Sequence, residues 1–480
     1  MAHFYVSYPF KPYLPKDSLM FAKLTTWLVP WLVCYFLCFP FLTFATQLTL
    51  KEAILLGMRH NKKLKSEQLQ NVLTKFAIEV AEDDFEPQIK FGFKWEKSPQ
   101  QPPETTLQSE ATLKNHWGGI LGLNLEQPWF SDHENQWSLW YKQPLLKNIA
   151  RNVVDAPLYI SRLQWQQQQL AYQQTQTDLI VTIIKAYRNV LQAQQRLDIG
   201  QLSLKRSKKL LKINQILIET GRMAAVDMIQ TEADIASKEL DERLAQNELD
   251  SARLNLLKVL DLHQQTDIEL QYDLQVTPPP SLTDQAQLTA QMLQNRSDYL
   301  QNKVLLAQLQ WQLLLAKEDK KWDLDLTSRY QHQTDVSDSM AQQAWSISLS
   351  LNIPLKDLKK QQAFLAAKTA VQQQQLLIAQ QGKELEMALL DLLRNLNLQQ
   401  EQLKLSSQVR VLAEKKLDIE QTKLTIGRSS NFQLVSFQDD LIQAQQTELT
   451  AKINYLNSLT DLDDLLGTTL ETWHIEVVYE

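Results

Sequence analysis

Two periodicities divide this chain. Ile180, Ile183, Tyr187, Val190 and Leu197 follow one another at steps of three, four, three and seven, and Leu389, Leu393, Leu396 and Leu403 at four, three and seven. Spacing of the 3.5 type is the seam that long helices bury against one another. From about Gln361 to Ile426 no proline intervenes and Gly382 is the only glycine. About 66 helical residues at 1.5 Å each would reach about 100 Å, a length suited to the wall of a tube rather than to a single globule.

The second periodicity is two. Trp345, Ile347, Leu349, Leu351 and Ile353 alternate with Ser346, Ser348, Ser350 and Asn352. Trp322, Leu324 and Leu326 oppose Asp323, Asp325 and Thr327, and Ile89, Phe91, Phe93 and Trp95 oppose Lys90, Gly92, Lys94 and Glu96. A fourth candidate, Trp137 to Gln143, alternates less cleanly. Alternation alone also describes a half-buried sheet. Two features favour lipid: each run has about 9 residues, the length of a tilted spanning strand, and Trp95, Trp117, Trp129, Trp137, Trp140, Trp322 and Trp345 lie in these regions, as interfacial girdles require. Four strands cannot close a spanning barrel, since small ones need about 8, and open edges are not tolerated in lipid. The wall must therefore be shared, and three chains would give about 12 strands.

The sequence repeats internally. Arg188-Asn189 falls on Arg394-Asn395, Gly221-Arg222 on Gly427-Arg428, Asp234 on Asp440 and Leu260 on Leu466, all at an offset of 206. Pro144 matches Pro354, and the loop between the strands is longer in the first copy. Each copy reads helix, strand, strand, very long helix, return helix. The first repeat spans 46–276, with its opening helix running to about Asp84, a linker occupies 277–283 and the second repeat spans 284–480.

The N-terminus adds a destination. Lys23 precedes an uncharged apolar stretch, Leu24 to Ala45, that ends in Thr43-Phe44-Ala45. This pattern predicts a secretory signal over 1–45, with Met20 as an alternative start. Pro30 and Pro40 argue against a membrane-spanning anchor. Both cysteines, Cys34 and Cys38, fall inside that signal, so the mature chain has no disulfide, thiolate metal site or cysteine nucleophile. Leu37 before Cys38 does not fit a lipoprotein signal. The net charge of −6 gives no support for nucleic-acid binding. The 7 histidines are scattered, the 8 methionines do not cluster, and there is no Gly-rich phosphate loop, so neither an enzyme nor a metal or nucleotide cofactor is expected.

These features resemble the TolC-like outer-membrane efflux proteins. The resemblance runs from about Leu48 to Leu470, on Leu48-Thr-Leu-Lys-Glu-Ala-Ile, Phe85-Glu-Pro-Gln-Ile, Gln143-Pro144-Leu145, Ile353-Pro354-Leu355 and the segments after Gly221 and Gly427. It implies a mainly α chain with transmembrane β: a homotrimer sharing a 12-strand β-barrel in the outer membrane of a Gram-negative bacterium, above a long antiparallel coiled-coil α-barrel in the periplasm. It implies a passive duct for small molecules or polypeptides, docked at its tip to a periplasmic adaptor and an inner-membrane pump of RND or ABC type. Asp267-Ile-Glu-Leu and His474-Ile-Glu-Val would lie in a mid-tunnel belt. Gly221 and Gly427 read as left-handed helix caps. By resemblance, Gly221, Arg222, Met223, Gly427, Arg428 and Ser429 form the surface an adaptor grips. Relatives place entrance acids where this chain has Gln433 and Ser436, and Asp439 and Asp440 come one turn later. Asp227 matches an acid that ties neighbouring helices in a closed tip. Its usual partners would be Leu424 and Ser429 here, with Arg428 a candidate substitute. The competing reading, a coiled-coil scaffold anchored in the inner membrane or periplasm, explains the helices but not the tryptophan-bearing strands.

Overall fold

The computed structural model describes residues 48–97, 104–128, 135–221, 223–272, 274, 276, 285–334, 341–353, 355–426 and 428–475. The expected signal at 1–45 with Met20, Cys34 and Cys38, the linker at 277–283, Trp129, Pro354 and the chain end after Ile475 lie outside them.

The helices are α1 (Leu50–His60), α2 (Lys62–Asp83), α3 (Arg151–Val154), α4 (Ala156–Glu219), α5 (Val226–Val259), α6 (Gln285–Asn295), α7 (Ser297–Glu318), α8 (Leu358–Thr425), α9 (Asn431–Leu466) and α10 (Thr469–Thr472). The strands are β1 (Gln88–Glu96), β2 (Glu104–Lys114), β3 (Ile120–Pro128), β4 (Gln136–Pro144), β5 (Asp323–Thr334) and β6 (Ala341–Asn352). The opening helix is two helices. The Asn61 backbone closes α1, and its side chain caps α2 by accepting from the Leu64 amide at 3.0 Å. Thr49 starts α1 with a reciprocal box: its hydroxyl accepts from the Glu52 amide, and the Glu52 carboxylate accepts from the Thr49 amide.

The helices α4 and α8 have 64 and 68 residues, each followed by an antiparallel return helix, α5 or α9. The helix α2 packs on α4, α7 sits between α4 and α8, and α9 also packs on α4. Burial follows the heptad seam: Ile180, Ile183, Tyr187, Val190, Leu197, Leu389 and Leu396 all lie in one core with Ala53, Ile54 and Leu456. Gly57 lets α1 approach α4, since a Cβ there would stand 2.5 Å from Ile183 Cδ1. The segment after α5 closes the same region. Leu48 pairs in parallel with Leu270, and the Tyr187 hydroxyl, its one proton shared, lies 2.8 and 2.7 Å from the Leu48 and Gln271 carbonyl oxygens. Buried Arg188 fastens α4 to α9: one guanidinium nitrogen donates to the Leu456 carbonyl (2.7 Å), Asn457 (3.1 Å) and Thr460 (2.8 Å). Burial pulls its pKa down to about 10 against the attraction of Asp461 and Asp463, so it stays charged at neutral pH.

The sheet departs from the expectation. Among the described residues it has six strands, not four, all antiparallel in the order β1-β2-β3-β4-β5-β6. The longer inter-strand segment of the first copy, expected to be a loop, folds as the hairpin β2–β3. Its alternation is hidden because small and hydroxyl residues, Thr105, Ser109 and Ala111, occupy the apolar side of β2 beside Leu107 and Leu113. A count of 12 strands from three chains therefore loses its basis. Register places Ile89, Phe91 and Phe93 beside Ala111, Ser109 and Leu107; those beside Leu123, Leu125 and Gln127; then Leu139 and Trp137, Tyr330 and His332, and Trp345. One continuous apolar face crosses all six strands. The other carries Lys90, Lys94, Glu110, Glu126, Lys142, Arg329 and Ser348, with Lys142 paired to Asp325 at 2.8 Å.

Candidate docking tip and entrance

The ends of α4 and α8 farthest from the sheet carry the residues singled out by resemblance. Gly221 follows the end of α4, in the turn before α5. Its φ of +71° is the left-handed conformation a helix stop requires, and no heavy atom lies within 4 Å of where a Cβ would stand. Arg222 and Gly427 lie outside the described residues, as does the side chain of Asp227, which falls in the first turn of α5. Arg428 is exposed and Met223 half-buried.

Ser429 turns inward. Its hydroxyl donates to Glu420 at 2.7 Å, and Lys423 donates to the same carboxylate at 3.0 Å. These contacts hold the Glu420 carboxyl below the usual range. Leu424 is buried with Leu210, Leu417, Leu434, Val435 and Leu441 in a small apolar cluster, so neither residue at the usual partner positions faces outward to form a lock. Ser430 caps α9 by accepting from the Gln433 amide at 3.2 Å.

The entrance candidates divide. Gln433 is exposed and Ser436 half-buried. Asp439 and Asp440 are exposed but each meets a lysine: Lys238 lies 2.6 Å from Asp439, and Lys416 lies 2.9 Å from Asp440 while covering the Phe437 ring at 3.6 Å. Burial lowers the Lys238 pKa, but the hydrogen bond and charge of Asp439, with Asp234 and Asp241, outweigh it and hold it above the usual lysine range. Among the described residues no unpaired acidic pair stands here.

A polar cluster that sequence reading missed lies just behind. Asn214 of α4 donates to Thr231 of α5 (2.8 Å) and Asn431 of α9 (3.1 Å), and Asn431 donates to Thr231 (2.7 Å). All three are buried. The available signal was a polar residue on an apolar seam, Asn214 between Leu210 and Leu217; Glu420 stands likewise between Leu417 and Leu424. Around the cluster, Ile216, Val226, Ile229, Ile426 and Phe432 are each about three-fifths or more exposed. Among the described residues no helix is long and apolar enough to cross a membrane, and no group of His, Cys, Asp and Glu is placed to hold a metal ion.

Residues 145–261, from the end of β4 through α5, match the family model of the outer membrane efflux proteins. Solved outer-membrane channels share the fold. MtrE of Neisseria gonorrhoeae, in its open state, superposes with a TM-score of 0.69 at 15% identity, covering 88% of this chain and 89% of that one. CmeC of Campylobacter jejuni gives 0.67 at 14%, over 88% and 86%. VceC of Vibrio cholerae gives 0.66 at 12%, over 87% and 96%. No curated protein sequence matches.

Proposed function

We propose, on the premise that this chain belongs to the outer membrane efflux protein family, that it is one wall segment of an outer-membrane exit duct. Three copies share a β-barrel and an α-barrel, and the duct is passive. The observation that carries this reading is a sheet with one continuous apolar face and two open edges, on helices that expose further apolar seams. Leu69, Leu73, Phe76 and Val80 line α2 at steps of four, three and four, and Leu398, Leu405, Leu412 and Ile419 line α8 at steps of seven; all are more than half exposed. A lone rod would leave these stripes in water, whereas neighbouring copies bury them as knobs in holes. A scaffold of coiled coils alone has no use for the sheet.

The tip is the docking surface for a periplasmic adaptor, which links the duct to an inner-membrane pump. Gly221, Met223 and Arg428 contribute its accessible part, with Arg222 and Gly427 beside them in sequence. Ser429 holds the turn through Glu420, and the exposed Ile426 and Phe432 offer an apolar grip. The two halves, with helices of 11, 22, 64 and 34 residues and then 11, 22, 68 and 36, act as equivalent wall units joined by the linker at 277–283. Cargo is small molecules or polypeptides in transit across the outer membrane.

Membrane fractionation followed by cross-linking of the detergent extract tests the reading. Recovery in the outer membrane as a three-subunit species is expected. A stable single chain in detergent-free buffer would overturn it. Adaptor docking is tested separately: Phe432→Asp or Ile426→Asp should end copurification of the adaptor while three-subunit assembly persists.

A further inference from the structure

The hairpin β2–β3 is built into the sheet and is fastened at its base. Its turn, Asn115 to Gly119, meets the junction of strands and helices. Asn115 accepts from the Trp117 and Gly119 amides at 2.9 and 2.8 Å, which closes the turn. Gln143 of β4 donates to the Trp117 carbonyl at 3.0 Å. His116 stacks on Phe85, which follows α2, with ring centroids 4.3 Å apart, and contacts the buried Asp155 carboxylate at 2.7 Å. Arg151 donates to the other oxygen of Asp155 at 3.2 Å. Gly118, at φ +75°, lies so close to the backbone of Asn148 that a Cβ would stand 2.2 Å from that carbonyl oxygen. The turn thus occupies the shoulder between the end of α2 and the start of α4. An extramembrane loop would need none of these contacts.

The two faces of the hairpin continue those of its neighbours. Leu107, Leu113, Leu121, Leu123 and Leu125 extend the apolar side, while Gln108, Glu110, Asn124 and Glu126 extend the polar side, where Gln108 donates to Glu126 at 3.2 Å. Strand number is even, so β6 runs opposite to β1. The β6 edge of one copy can therefore pair antiparallel with the β1 edge of the next without breaking the pattern, as closure in lipid demands.

We infer that all six strands of each copy span the membrane and that the partner on each sheet edge is a second copy of this chain. Three sheets of six then close a barrel of about 18 strands. This rests on the trimeric duct proposed above. Diameter grows roughly linearly with strand number, so the mouth is about half again as wide as one of 12 strands, in the range where barrels hold an open aqueous channel. The β-barrel is then not the narrowest part of the duct, and selection by size falls to the helical tip.

The test uses the assembled protein in lipid vesicles. Ala111→Cys and Leu123→Cys on the apolar face, and Glu110→Cys and Asn124→Cys on the polar face, are made singly. Ile347→Cys and Ser346→Cys in β6 serve as references, and Cys34 and Cys38 are replaced by Ser throughout. A fluorophore at Ala111→Cys and Leu123→Cys should be quenched by nitroxide-bearing lipid as fully as at Ile347→Cys. Those at Glu110→Cys and Asn124→Cys should escape quenching and react with a charged, water-soluble thiol reagent, as at Ser346→Cys. Cross-linked three-subunit assemblies in which all four hairpin positions label from water and none is quenched would overturn the inference while leaving the duct intact. Absence of the three-subunit assembly itself would remove the foundation of both.

Discussion

The side-chain amides of Asn214 and Asn431, on two different long helices and 217 residues apart, meet at 3.1 Å beside the Thr231 hydroxyl. Three helices are tied at this point, close behind the turns that form the tip. Buried polar contacts of this kind set register in helical seams. Replacing Asn214 by Leu removes one partner and leaves Thr231 and Asn431 short of bonds in an apolar setting. A loss of about 1 to 3 kcal/mol is expected. Hydrogen exchange should rise first around residues 210–235, and an unchanged exchange pattern would count against the tether.

Arg188 supports the middle of the wall as Asn214 supports its end. Its three acceptors on α9 fan out around one guanidinium nitrogen. Arg188→Met should destabilise the fold by about 2 to 3 kcal/mol, because charged hydrogen bonds are lost and buried acceptors stay behind. Arg188→Lys should recover only part, since the lysine ammonium ends one bond nearer the backbone than the nitrogen that holds all three acceptors. Denaturant titration of the detergent-solubilised protein measures both. Arg394, its repeat counterpart, is exposed and, among the described residues, pairs with Asp391 alone, within one turn. Arg394→Met should therefore change single-chain stability far less.

The Glu420 contacts make the α8–α9 turn sensitive to acid. The folded pKa lies below the unfolded one, through Ser429 first and Lys423 next. Its stabilisation is therefore complete above the ordinary glutamate range and is lost as pH falls through the lowered folded value. Spin labels flanking the turn should show it loosening at acid pH. Glu420→Gln should abolish that pH response; a response that survives would point to a different group.

Lys238 neutralises Asp439 at the candidate entrance. Its folded pKa is raised, so the pairing is full below the ordinary lysine range and fails only as pH rises through the raised value. Lys238→Met should leave Asp439 unpaired at neutral pH. In planar bilayers the variant should favour cations more strongly than the parent protein. Equal selectivity would place Asp439 away from the conducting path.

Two glycines with nearly the same backbone differ in what surrounds them. Gly118→Val meets the Asn148 carbonyl as well as left-handed strain, and should reduce the yield of assembled protein in the membrane. Gly221→Val has open space around it and meets only the strain, about 1 to 2 kcal/mol. It should assemble, yet lose export if the turn is the adaptor's surface. Heat-modifiable migration and a transport assay separate the two outcomes.

Several elements were legible because they are written in neighbouring residues. Heptad steps at Ile180 to Leu197 and at Leu389 to Leu403 marked buried seams, and Trp345 to Ile353 marked a strand with one apolar face. The hairpin β2–β3 escaped because Thr105, Ser109 and Ala111 blur the alternation, and pairing with β1 on one side and β4 on the other supplies what the local pattern lacks. The tip was only half legible. Gly221 proclaims a helix stop, whereas the inward turn of Ser429 and the lysine partners of Asp439 and Asp440 depend on residues brought together from separate helices.

By itself the sequence determined the long helices, the two-faced strands and the need for neighbours, since repeats of 3.5 and two residues decide which side of each element must leave water. Tertiary structure alone decided how many strands join the sheet, which polar groups are tied across helices and which apolar stripes remain uncovered. Those outcomes follow from contacts between residues far apart in the chain, such as Arg188 and Thr460, 272 positions from one another, which no local periodicity encodes.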